Sequence, residues 1–331
     1  MYKVKVENLN QFEVVLNSNK VSEIILARDS FAEIKLPSLV SEIKKAGKTA
    51  WILMERISRY EENMKTVNKT NASPFDLRTS TDKIYDIENL DGIIIENLDS
   101  FAYMLRRINK AANKKLMVEI NYTMNCYNSE TKLVLEKLYN DKRENASNVP
   151  LLFTAPVELN IYELSDVGYD TLILYSYIDT MVSANCLRKN LSVNGEELNK
   201  KNVKTVVNNK EYSSSNPCDS LCKHRFDFDY VQDFSSYIID RKGKKLYYKT
   251  YCKYCYNKIF NTEPLFLLDK INEIESIYKK HLKKVSSLNE NMNLLKYRID
   301  FSFENKEEVK NILEMKSVES FTRGHYKNGI K

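Results

Sequence analysis

Eight times along the chain a short apolar run is followed by an amphipathic stretch, and this alternation constrains the fold more than any other feature. The apolar runs are YKVKV (2–6), SEIILA (22–27), TAWILMER (49–56), GIIIEN (92–97), KLMVEINY (115–122), LLFTAPVEL (151–159), DTLILYS (170–176) and KYRIDFSF (296–303). Helical periodicity follows at 8–18, 36–47, 99–113, 129–140, 159–168, 264–285 and 305–315, and FDLRTSTDKIYDIENL within 57–91 is the candidate for the third helix. Strands that alternate with helices predict parallel sheet joined by βαβ crossovers, because a parallel neighbour can be reached only by crossing over the sheet. Eight such units are the number of a closed (β/α)8, TIM-barrel-like fold. The doubly wound open sheet usually carries a glycine-rich phosphate turn after its first strand, and KVKVENLNQF has no glycine.

The rhythm breaks most between 177 and 262. The chain therefore divides into barrel units at 1–176, a Cys-rich insertion between strand 7 and its helix at 177–262, and the last helix, strand 8, its helix and a tail at 263–331. An insertion at that point emerges at the C-terminal face of a barrel, where barrel enzymes keep their active sites.

No apolar run approaches the roughly 20 residues of a membrane span. MYKVKVENLNQFEVVLNS lacks a signal-peptide layout, so the expectation is a cytoplasmic protein with reduced cysteines and no membrane partner. With 51 basic and 45 acidic residues the net charge is only +6, a solvated surface unless the excess is clustered; a cluster would point to a polyanion such as RNA.

Five of the six cysteines, Cys186, Cys218, Cys222, Cys252 and Cys255, lie in the insertion, whereas Cys126 stands alone after the fifth strand and reads as a small buried residue. Cys218 and Cys222 form C-x3-C, and Cys252 and Cys255 form C-x2-C in YCKYCYN. A short loop can turn both thiolates of a pair toward one metal, and two pairs make a four-thiolate site. Zinc and an iron–sulfur cluster are both compatible with it. His224, two residues after Cys222, is a further candidate ligand or donor to a ligand, and KKLYYKTYCKYCYNK reads either as a β-hairpin with packed tyrosines or as a stacking surface for bases.

Hydrolase signatures are missing: there is no H-E-x-x-H and no G-x-S-x-G. A Cys186–His325 nucleophile pair is conceivable but no spacing supports it. Carboxylates at strand ends are better placed for catalysis, namely Glu55, Glu96, Glu119, Glu158 and Asp300, although Glu119 can equally face the helices. Glu158 is the first candidate, against the alternative of an ion pair with Arg56 or Arg188, and Asn121 and Tyr122 join it as candidate contacts to a base or peptide.

YDTLILYSYIDTMVSANCLRKNL (169–191) resembles the signature region of the peptidase U32, or collagenase-like, family. TAPVELN (154–160), IIDRKGKKLYYKTYCKYCYN (238–257), RIDFSFEN (298–305) and FTRGHYKNGI (321–330) resemble its later segments, in order, so the chain is similar to a short member or to the C-terminal half of a longer-type member. Many members carry another cysteine where this chain has Asp179. The resemblance implies a barrel with a cysteine-bound site. It implies for some members a four-iron iron–sulfur cluster and a part in hydroxylating tRNA or rRNA bases or a similar small aromatic. For others it implies a peptidase label only. Two other readings stand beside the first for this chain: a metal-independent or zinc-stapled peptidase acting on unfolded polypeptide, and a non-catalytic partner of a related subunit in which the cluster or zinc is structural. Cys186, Cys218 or Cys222, Cys252 and Cys255 are the ligands the resemblance implies here, with Glu158 in its family-like segment.

Overall fold

The computed structural model describes residues 1–57, 84–144, 149–184, 203–207, 210–214, 233–239, 241–251, 254, 256–285, 295–316 and 318–327. The parallel strands are β1 (Tyr2–Val6), β2 (Val21–Ala27), β3 (Thr49–Leu53), β4 (Gly92–Ile95), β5 (Met117–Ile120), β6 (Leu151–Phe153) and β7 (Thr171–Ser176). The insertion adds β8 (Asp179–Ser183), β9 (Val203–Val207), β10 (Lys210–Ser214), β11 (Asp233–Ile239), β12 (Lys245–Tyr251) and β13 (Tyr256–Phe260). Two more strands follow, β14 (Leu265–Phe266) and β15 (Lys296–Asp300). Seven α-helices are found among the described residues: α1 (Leu9–Asn17), α2 (Leu36–Lys45), α3 (Leu98–Arg107), α4 (Ser129–Asn140), α5 (Ile161–Val167), α6 (Ile271–Val285) and α7 (Lys306–Leu313). None is long and apolar enough to cross a membrane.

The strands form a curled nine-stranded sheet in the order β14-β7-β15-β1-β2-β3-β4-β5-β6, parallel except for β14. The insertion folds as a separate antiparallel sheet, β11-β12-β13-β8, and a β9–β10 pair. All eight expected barrel strands are present. The helix expected from residue 264 begins only at Ile271, because Leu265 and Phe266 pair antiparallel with β7 as β14. Most of the stretch expected to hold the third helix lies outside the described residues.

The helices start where the sequence tells them to. Asn8, Asn97, Asn128, Asn160 and Asn305 each cap a helix by accepting hydrogen bonds from its first turn, and the last two form full capping boxes with Glu163 and Glu308. Such a cap is worth about 1 kcal/mol and fixes the point at which the chain turns back over the sheet.

Both faces of the sheet are buried but they differ in chemistry. Tyr2, Val4 and Val6 of β1 join the large apolar core between sheet and helices. The intervening Lys3 and Lys5 point to the inner, concave face and are also buried. That face holds a small apolar floor of Ile25, Trp51, Leu53, Ile94 and Leu152, with the Lys3 ammonium 3.2 Å from the centre of the Trp51 ring. Gly92 of β4 packs against the same ring, leaving no room for a Cβ.

Candidate functional site

Polar groups fill the concave face from the floor to the C-terminal ends of the strands. At the bottom, Lys3 pairs with Glu119 at 2.5 Å, and the Thr154 hydroxyl donates to the second oxygen of that carboxylate, also at 2.5 Å. Burial pushes the Glu119 carboxyl up, but Lys3 and Arg298 outweigh it and hold the group below the usual carboxylate range. Glu119 thus faces inward, not toward the helices, because Val118 and Ile120 on either side belong to the outer core.

One layer higher, Arg298 grips Asp300 with two bonds of 2.6 and 2.8 Å and donates to Asn121 Oδ1 at 2.9 Å. Asn121 Nδ2 donates in turn to Glu96 at 2.7 Å. Arg28 donates to Glu55 at 2.6 Å and to Glu33 at 2.8 Å. All of these groups except Glu33 are buried.

The insertion closes the mouth from above. β12 and β13 pair as a hairpin, with Tyr251 opposite Tyr256, and their inner residues reach into the carboxylates. Lys249 meets Glu7 at 2.6 Å, where Lys5 also binds at 2.5 Å and the Tyr251 hydroxyl donates at 3.1 Å. Lys258 meets Glu96 at 3.4 Å and Asp29 at 4.0 Å. The Tyr256 hydroxyl donates to Asp29 and the Tyr254 hydroxyl to Glu33 at 3.4 Å. From β8 comes Asp179, which accepts the Tyr122 hydroxyl.

Charge and burial oppose each other differently at each carboxylate. At Glu7 burial raises the carboxyl's affinity for a proton, but Lys249 and Lys5 overcome it and hold the group far below its ordinary value. At Glu96 burial wins: the single lysine, Lys258, offsets it only in part, nearby Asp179 adds to it, and the carboxyl is raised. Burial and Asp179 push the Tyr122 phenol well up, so it stays a donor. The mouth therefore contains a carboxyl poised to carry a proton (Glu96), held by an amide (Asn121) and an ammonium (Lys258). That arrangement can deliver or take up a proton, and it can orient a polar planar group in place of the cap's own side chains.

Of the residues expected from the sequence, Glu55, Glu96, Asn121, Tyr122 and Asp300 meet in this network and Glu119 lies beneath it. Glu158 sits half-buried in the loop after β6 beside Tyr127, and among the described residues no hydrogen bond links it to the network. Arg56 does not reach Glu158 but donates to the backbone carbonyls of Glu96 and Thr123, at 2.7 and 3.3 Å. Arg188, Cys186, Cys218, Cys222, Cys252, Cys255 and His224 all lie outside the described residues, and His325 is exposed. Cys126 is buried, and burial pushes its thiol up to about 11, the reverse of what a metal-binding thiolate needs. Among the described residues no group of three or more His, Cys, Asp or Glu is placed to hold a metal ion.

The residues that the sequence reading missed are Lys3, Lys5, Glu7, Arg28, Asp29, Lys249, Lys258 and Glu304. Two of them, Glu7 and Glu304, share a local arrangement with Glu96, in Glu7-Asn8, Glu96-Asn97 and Glu304-Asn305, but Glu-Asn also occurs at 62, 88, 144 and 290, so the dipeptide alone does not mark the site. In those three cases the asparagine caps the next helix while the glutamate is buried at the mouth. Comparison of the chain with family models, with curated proteins and with solved structures gives no match.

Proposed function

We propose that the curled sheet is a closed (β/α)8 barrel and that its antiparallel insertion brings a cysteine-bound iron–sulfur cluster to the barrel mouth, in a protein of the U32-like kind that acts in hydroxylating an RNA base or a similar small aromatic. Closure is supported where β6 meets β7. Thr154 bridges Thr171 in parallel, Ala155 N donates to Thr171 O at 2.8 Å, and Asp170 N donates to Phe153 O at 3.0 Å.

The observation that carries the functional reading is the placement of the three tyrosines that flank the C-x2-C pair. Tyr251, Tyr254 and Tyr256 each hydrogen-bond a carboxylate, Glu7 just after β1, Glu33 in the short helical turn before α2, and Asp29 just after β2. The pair Cys252 and Cys255 is interleaved with these residues in sequence. Soft thiolates at that spacing suit iron–sulfur or zinc, and the cluster, when bound, supplies one-electron chemistry. Cys186, Cys252, Cys255 and one of Cys218 and Cys222 would hold it. The chain's own part is to exclude water from the mouth and to hold a proton at Glu96, with Asn121 and Tyr122 positioned to orient a planar substrate.

The test is iron, sulfide and zinc content with a visible spectrum on the full chain purified without oxygen, beside the variants Cys252→Ser, Cys255→Ser and Cys126→Ala. The expected result is about four iron and four sulfide per chain, bleached by the first two changes and untouched by the third. Zinc alone would reduce the cysteines to a structural clip. Free thiols without metal would overturn the proposal.

A further inference from the structure

The net charge of +6 is not spread evenly. Residues 240–245, DRKGKK, carry four cations (Arg241, Lys242, Lys244 and Lys245) and one anion (Asp240), one of several basic stretches beside 106–115 and 279–284, and the one that lies on the insertion. These four cations stand together in space, since Ile239 pairs with Lys245 and residues 241–244 lie in the turn of the β11–β12 hairpin. All four are exposed. Gly243 makes the turn with a positive φ of 76° and has open space around it. Beside the tip, Tyr237 is exposed and the Lys245 ammonium lies 4.6 Å from its ring centre; Ile239 next to it is exposed too.

Charges at a hairpin can simply guard a sheet edge against pairing with another chain. Here they do not sit on the edge. The edge strand is β11, whose exposed residues near the tip, Tyr237 and Ile239, are apolar or aromatic, and the cations are confined to the turn and the start of β12. Clustered cations beside an exposed aromatic ring are the combination that binds a single-stranded nucleic acid, with charges on phosphates and a ring for a base to stack on.

We infer that the β11–β12 tip, through Arg241, Lys242, Lys244, Lys245 and Tyr237, is an RNA-docking element that grips the sugar-phosphate backbone outside the barrel mouth. This rests on the proposed function and adds to it the surface on which the RNA is held. β12 runs from the tip at Lys245 into the mouth at Tyr251, six residue steps or about 20 Å. The same strand thus joins the anchoring point to the buried carboxylates, so RNA held at the tip reaches the mouth with a neighbouring, extended base.

The experiment uses the full chain and a fluorescein-labelled single-stranded RNA oligonucleotide of mixed sequence, with affinity measured by anisotropy across a salt series. It compares the parent with the variant Arg241→Gln, Lys242→Gln, Lys244→Gln, Lys245→Gln. A charge-matched control carries Lys45→Gln, Lys114→Gln, Lys115→Gln and Lys142→Gln, exposed positions at the other end of the parallel strands. Four single-strand phosphate contacts contribute about 2.8 to the slope of log affinity against log salt, so the parent should lose about 50-fold more affinity than the tip variant between roughly 50 and 200 mM salt. The control should keep the parent's slope, and Tyr237→Ala should weaken binding without changing it. Equal losses in tip variant and control would show that only net charge matters and would overturn the inference. Parent-like binding by the tip variant would overturn it too, while leaving RNA as the partner. No RNA binding by a parent that holds its cluster would remove both the tip and RNA, leaving the metal site standing.

Discussion

Replacing Lys258 by Met tests whether the insertion is clamped to the mouth by charge. Met keeps most of the side-chain stem and removes the ammonium that lies 3.4 Å from Glu96 and 4.0 Å from Asp29. Lys258 and both carboxylates are buried, so the discount that solvent applies to surface pairs does not operate here. Removing one partner of a buried ion pair costs about 3–5 kcal/mol, because the opposite charge is left without compensation. An unfolding entropy near 2.1 cal/mol/K per residue gives about 0.7 kcal/mol/K for 331 residues, and the loss becomes roughly 4–7 °C in Tm. The sign of the pH dependence follows from Glu96. Its carboxyl is already raised in the folded state by burial, so the associated stability is present at low pH and is lost as pH rises through the folded value. Without Lys258 that value rises further, and the deficit should be small near pH 4.5 and grow toward pH 8. Urea unfolding at both pH values, followed by the fluorescence of Trp51, the chain's single and fully buried tryptophan, measures it. Adding Glu96→Gln, which keeps an acceptor for Asn121, should recover about 2 kcal/mol at pH 8. A deficit under about 1 kcal/mol at pH 8, or one that does not vary with pH, would refute the clamp.

Two further outcomes follow from the packing. Gly92→Ala should cost about 1–3 kcal/mol, since the added Cβ would fall 2.4 Å from ring carbons of the enclosed Trp51; a urea midpoint equal to the parent's would show that the ring can slide aside. Cys126, with its thiol pushed up to about 11 by burial, should resist alkylation at pH 8 in the folded chain and react on unfolding; mass spectrometry of its peptide showing equal labelling in both states would contradict its burial.

How much of this could be read from the sequence depended on which interactions are local. The helix at 129–140 has the same limits in sequence and structure, because Asn128 caps it and its apolar positions keep a helical spacing. The start of the helix expected at 264 was wrong for a non-local reason: Leu265 and Phe266 suit a helix but find strand partners in Ser176 and Tyr175. Which face of a strand is buried is not legible locally, for a different reason. Alternation in YKVKV says that Lys3 and Lys5 share a face, and in an ordinary half-exposed strand that face would be the wet one. Here it is the inside of a curled sheet, where Lys3 is matched by the distant Glu119 and Lys5 by Glu7 just beyond the end of its own strand. Lys249 and Lys258 were equally opaque. The hairpin with packed tyrosines could be read from its spacing, but its seat on the mouth is fixed by contacts to residues more than 160 positions away, as between Lys258 and Glu96.

The same contacts explain why the cap and the mouth have to be considered as one unit. Glu7, Asp29 and Glu96 come from three different strand ends, and each finds a cation or a hydroxyl donor on β12 or β13. Carboxylates concentrated in this way would repel one another if the cap were absent and would favour protonation or solvent exposure. Seating the hairpin therefore sets their ionisation: Glu7 is held as an anion between two lysines, while Glu96, facing one lysine and other carboxylates, keeps a raised affinity for a proton. Cys252 and Cys255 lie in sequence between Tyr251 and Tyr256 of this hairpin, and the proposed reading makes them ligands. The hairpin's shape on metal loading would then be felt at Glu7 and Asp29 through the hydroxyls of those two tyrosines. On that reading redox chemistry and proton affinity would share one structural element, with the proposed RNA-docking tip at the far end of β12.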